Sequence, residues 1–143
     1  MATRTQAREA VTGLLYAYDS GNTKIDNFAK SLLEEKKIKN KQQEFALELF
    51  KGVLDHLDEL DELIKAHLKD WDFGRLGGME RAILRLGAFE IRFTQTDSPV
   101  IINEAVELGK IYGGDNAPKF INGVLDALHK ICRQDITDSK KSI

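Results

Sequence analysis

The sequence predicts an all-α protein. Three observations carry that expectation. Apolar residues recur at steps of three and four along almost the whole chain. Only two prolines, Pro99 and Pro118, occur among 143 residues, so little of the backbone is barred from a helix. No segment alternates apolar and polar residues with the two-residue period of a strand.

The first helix is expected over Thr3–Asp19. Thr3 followed by Gln6 fits a capping box, in which each side chain satisfies a backbone N–H at the other position. Ala7, Ala10, Val11, Leu14, Leu15 and Tyr18 form its apolar stripe, and Asp19-Ser20-Gly21-Asn22 ends it. A second helix covers Ile25–Lys36, with Phe28, Leu32 and Leu33 turned inward. The lysine-rich run from Lys36 to Lys41 reads as a solvated loop, with a phosphate-attracting edge as the alternative. The third helix is long, Gln42–Asp70, because Phe45, Leu49, Val53, Leu57, Leu60, Ile64 and Leu68 keep the helical period. Its other face carries Asp55, Asp58, Glu59, Asp61 and Glu62, without a metal-ligand spacing.

Trp71 to Gly78 then breaks the pattern with two aromatics and three glycines, which suits a hinge and tight caps. A fourth helix follows over Met79–Thr94. Ser98 is a good N-cap and Pro99 a good first residue for the fifth, which ends near Tyr112 before Gly113-Gly114. Asp115 or Asn116 caps the last helix, Pro118 lies in its first turn, and it runs to about Arg133. The whole chain, 1–143, is expected to form a single domain. It divides into two packed bundles at about 1–70 and 71–133, followed by a frayed tail, 134–143.

Composition excludes several classes. The net charge is -2, so any nucleic-acid site must rest on a local patch and not on bulk basicity. Cys132 is the only cysteine, which rules out an intramolecular disulfide. No apolar run follows the N-terminus as in a secretory signal, and none reaches the roughly 20 residues of a membrane span. A cytoplasmic protein without membrane contact is expected. His56 and His67 lie eleven residues apart on one predicted helix, about 16 Å along its axis, too far to share a metal. No cysteine–histidine cluster, phosphate-cradling loop or nucleophile elbow is present. No catalytic residue, metal or cofactor is expected, and the chain reads as a non-enzyme.

Three stretches are informative. They are Met79-Glu80-Arg81-Ala82-Ile83-Leu84-Arg85-Leu86-Gly87-Ala88-Phe89-Glu90, then Pro99 to Lys110 with Ile102-Asn103-Glu104-Ala105-Val106-Glu107-Leu108 at its centre, then Lys119-Phe120-Ile121-Asn122-Gly123-Val124-Leu125-Asp126. Together with Arg8-Glu9-Ala10 leading into Leu15-Tyr16, they resemble the NusB transcription antitermination family. The resemblance spans nearly the whole chain and is strongest from Trp71 to Leu128.

That resemblance implies two three-helix bundles packed at an angle, and no cofactor. It implies binding to a single-stranded boxA-like RNA together with small ribosomal-subunit protein ten, called NusE in this role. The complex would join RNA polymerase in the elongation complex and suppress termination, notably in rRNA operons. Some family members are homodimers. By position, the RNA surface carries over to Arg4, Arg8, Tyr16, Lys119 and Phe120, with Gln6 and Tyr112 beside them. The NusE surface is expected on the C-terminal bundle at Glu80, Arg85 and Glu90.

Other readings stay open from the residues alone. Tyr16 and Phe120 sit beside apolar stripes and suit a core position as well as a stacking one. Arg85 with Asn103 and Glu104 suits a structural network as well as a partner site. At the level of the whole chain the alternatives are a helical protein-interaction module and an RNA-targeting domain related to rRNA cytosine methyltransferases.

Overall fold

The computed structural model describes residues 2–68 and 72–141, with side chains through Arg133. Among the described residues all regular structure is helical: α1 (Arg4–Asp19), α2 (Ala29–Glu35), α3 (Asn40–Asp55), α4 (Leu57–Lys65), α5 (Gly78–Phe93), α6 (Ser98–Tyr112) and α7 (Ala117–Lys141). Short 3-10 turns at Thr23–Phe28 and Phe73–Arg75 lead into α2 and α5.

Local chemistry accounts for most of the boundaries. Thr3 Oγ1 accepts from the Gln6 amide at 3.1 Å and the Gln6 side chain accepts from the Thr3 amide at 2.9 Å, which is the expected capping box. Asp72 accepts from the Gly74 amide at 2.9 Å and shapes the turn that buries Phe73. Trp71, the other aromatic of the expected hinge, lies outside the described residues, as does Asp70, the expected end of the third helix. Pro99 sits in the first turn of α6 after Asp97, one residue earlier than the expected Ser98 cap.

Three expectations need correction. The long third helix is two helices, α3 and α4, broken at His56, whose backbone leaves the helical region (φ -123°, ψ 22°). The apolar period continues across the break because both pieces bury a stripe, but on different neighbours: α3 packs on α1 and α5, α4 mainly on α5. The second helix starts as a 3-10 turn and becomes α-helical only at Ala29. The last helix continues through Lys141, past the Arg133 end expected from composition.

The helices α1, α2 and α3 pack together, as do α5, α6 and α7, and α1 with α5 forms the seam. Phe50, Leu60, Ile64, Leu84, Ile101, Ile121, Leu125 and Leu128 are among the fully buried side chains. Gly87 and Gly109 explain themselves at the α7 contact. A Cβ at Gly87 would lie 2.7 Å from Leu125 Cδ1, and one at Gly109 would lie 2.7 Å from Ile121 Cδ1. Each glycine gives up intrinsic helix propensity so that two backbones can approach.

Ion pairs stitch both ends of the seam. At one end Arg8 of α1 meets Glu90 of α5, and at the other Asp19 of α1 meets Arg81 and Arg85 of α5. The order shows that α1 and α5 run antiparallel. Arg133 of α7 completes the frame by donating to the carbonyls of Glu90, Ile91 and Thr94 at the C-terminal end of α5. No helix among the described residues is long and apolar enough to cross a membrane.

Candidate nucleic-acid interface

The exposed face of α1 borders a groove of about 520 Å³. Gln6, Glu9, Gly13 and Ala17 line it from α1, Leu32 and Lys36 from α2 and its end, Met79 from α5 and Tyr112 from α6. The steps of three and four along α1 follow from helix geometry, which puts those positions on one side. The floor is apolar and the rim polar, a combination that can hold a base while the rim meets sugar and phosphate.

The expected RNA residues divide into two sets. Arg4 is exposed, with its guanidinium carbon 4.5 Å from the centre of the Phe45 ring of α3. That contact holds a charge in place at the open end of α1 without neutralising it. Gln6 is exposed and engaged in the cap. Tyr16 is exposed, with its ring edge over Gly78, where a Cβ would approach within 2.6 Å of Cε2. Tyr112 is exposed beside the groove, and Lys119 is exposed in the first turn of α7.

Arg8 differs from the expectation, and Phe120 takes the core-facing one of its two open readings. Arg8 is 2% exposed, with Nη2 2.7 Å from Glu90 Oε1 and Nε 3.0 Å from Glu90 Oε2. It cannot meet a phosphate while it serves that carboxylate. Phe120 is half-buried and packs against the hydrophobic core.

The partner set shifts as well. Glu90 is 2% exposed and committed to Arg8, so it offers nothing to a second protein. Arg85 makes a two-pronged bond to Asp61 at 2.8 and 2.9 Å and a third bond to Asp19 at 3.0 Å. Asn103 and Glu104 are not its partners; Glu104 instead accepts from the Thr5 hydroxyl at 2.9 Å. Glu80 alone of the three is available in part. It accepts from the Gly114 amide at 3.3 Å and so ties the start of α5 to the α6–α7 turn.

Two residues that sequence reasoning missed shape the surface. Phe45 supports Arg4, and Glu9 accepts the hydroxyl hydrogen of Tyr112. The Glu9 bond, with partial burial and the carboxylate charge, pushes the Tyr112 phenol above its ordinary value of 10.0. Ionising Tyr112 would break the bond and set two anions together. Replacing Glu9 by glutamine is therefore expected to move one phenol titration to lower pH. Absorbance of the phenolate through an alkaline titration checks this, and identical curves for the two proteins would disprove it.

The model of the NusB family matches residues 5–130. The transcription antitermination protein NusB of Helicobacter hepaticus is 72% identical over 131 residues, 91% of this chain and 83% of that protein. The protein of the same name from Wolinella succinogenes is 70% identical over 128 residues, 90% of this chain and 95% of that one. A crystal structure of antitermination factors NusB and NusE in complex with dsRNA contains a chain 36% identical, with a TM-score of 0.81, covering 90% of this chain and 96% of its own.

Proposed function

Because the chain belongs to the NusB family, we propose that it is an RNA-binding transcription antitermination factor that binds boxA-type RNA together with NusE. It is not an enzyme. It works in the cytoplasm, joins the elongating polymerase and suppresses termination, notably in rRNA operons. The observation that carries this reading is the shared fold, over 90% of the chain, with a NusB that was crystallised with NusE and dsRNA. The exposed Arg4, Gln6, Tyr16, Tyr112 and Lys119 support an RNA surface along α1 and the α6–α7 turn. NusE is proposed to dock on the bundle of α5, α6 and α7, with Glu80 as the residue of the expected set that remains accessible.

The test is RNA binding with and without NusE. Arg4→Ala with Lys119→Ala removes two phosphate contacts, which for a single strand makes the log–log salt slope shallower by roughly 1.4. Tyr16→Ala removes a stacking plane worth about 1–3 kcal/mol per base and leaves the slope unchanged. Binding indistinguishable from wild type in both variants, with NusE present, would show that this face is not the RNA surface, and RNA binding by NusE that this chain does not improve would move the chain to the protein-only interaction module.

A further inference from the structure

The turn between α2 and α3 gathers four lysines within six residues. Lys36, Lys37, Lys39 and Lys41 are exposed, and among the described residues none of them pairs with a carboxylate. The chain as a whole is slightly negative, so this concentration is local.

The turn is also built, not loose. Ile38 donates its amide to Leu33 at 2.9 Å and Lys37 donates to Glu34 at 2.9 Å, the two bonds of a Schellman cap. Ile38 follows the cap into the core at 3% exposure, and the Gln43 side chain donates to the Ile38 carbonyl at 3.2 Å. Lys37 occupies the left-handed position of the cap (φ 62°), which glycine fills at lower steric cost. A lysine in that place puts an ammonium in solvent at the expense of backbone ease.

The turn continues the interface described above. Lys36 and Ile38 line the groove that Gln6 and Tyr112 line from the other side. Lys41 stands one helical turn before Phe45, the ring beneath Arg4. Phe28, expected to turn inward, instead ends the 3-10 turn before α2 with 57% of its surface exposed.

We propose that the α2–α3 turn is a second phosphate-binding edge, indifferent to sequence, that holds single-stranded RNA running beyond the boxA-like element. The proposal rests on the RNA-binding reading above. Unpaired ammonium groups on a fixed turn release counterions from a backbone without reading bases, so the edge adds affinity and salt dependence but no sequence preference.

The experiment compares two RNAs, one with the boxA-like element alone and one extended by an oligouridine tract at either end, both with NusE. Uridine stacks weakly, so the added strand reports chiefly phosphate contact. Wild type is expected to bind the extended RNA more tightly and with a steeper salt slope. In the Lys37→Gln, Lys39→Gln, Lys41→Gln protein the slope should be shallower by roughly 2, so that between 50 and 200 mM salt wild type loses about twentyfold more of its affinity than the variant does. Binding of the short RNA should stay as in wild type.

Lys37→Gly separates structure from function. It should hold or raise the melting temperature while it weakens binding of the extended RNA. An extension that adds nothing in wild type overturns the proposal, and so does a triple variant that keeps the gain. If the triple variant keeps that gain but loses binding to polyglutamate, the turn belongs to an acidic protein partner instead. Absence of any binding to the short RNA would overturn the underlying RNA reading as well, and is recognisable because it appears before the extension is tested.

Discussion

Replacing Arg8 by methionine or Glu90 by leucine, one at a time, is expected to cost about 3–5 kcal/mol of folding free energy. That is a large part of the roughly 5–15 kcal/mol available to a domain of ordinary stability. Both residues are 2% exposed, and they share bonds of 2.7, 3.0 and 3.3 Å. Either single change leaves the other charge buried without a partner, which water cannot reach to compensate. The double replacement removes both charges and fills the space with apolar atoms, and it should recover most or all of the loss, because the pair itself is expensive to desolvate. Urea denaturation of the four proteins gives the coupling energy directly. A loss of under about 1 kcal/mol in both single variants would mean that water reaches the pair. The pair also bears on function at a distance: it anchors the first turns of α1, from which Arg4 projects.

Replacing Arg85 by alanine is expected to cost about 3 kcal/mol, because it removes three charge-assisted bonds and frees Asp61. The side chain of Arg85 is 11% exposed, so solvent replaces those bonds only in part. Asp19 keeps Arg81, which bounds the damage.

A pH arm sharpens the test. Burial raises the pKa of Asp19, but the hydrogen bonds and charges of Arg81 and Arg85 outweigh it and hold the carboxyl below its ordinary 3.8. A carboxyl depressed on folding contributes stability that is complete above the unfolded value and is lost as pH falls through the folded one. Wild type should therefore weaken as pH falls below about 4, and Arg85→Ala should weaken less steeply over the same range. Parallel declines would show that Arg85 contributes nothing to Asp19. A loss of NusE binding in this variant would report on the fold; only a change at an accessible residue such as Glu80 reports on contact.

Much of the architecture is legible in the linear order of residues. Thr3 with Gln6, Pro99, and the Gly113-Gly114 pair are local signals, and each acts on hydrogen bonds within one turn of itself, so the helix boundaries they mark can be read without knowing the neighbours. The three stretches beginning at Met79, Pro99 and Lys119 were enough to indicate the family. His56 shows where local reading stops: an unbroken apolar period is compatible with one helix or with two that bury their stripes on different partners.

The site was harder to read for the same reason. Periodicity assigns a residue to a face of its own helix, and charge suggests that the face is wet, but neither reveals what packs against it. Arg8 looked like a surface arginine until Glu90, 82 residues later, came to lie against it. Arg85 looked like a docking residue until α1 and α4 brought Asp19 and Asp61 to either side of it. A charge can be buried only if an opposite charge arrives from elsewhere in the chain, and that arrival is a property of how the helices pack. Which arginines are drawn into ion pairs is therefore decided by the seam between α1 and α5.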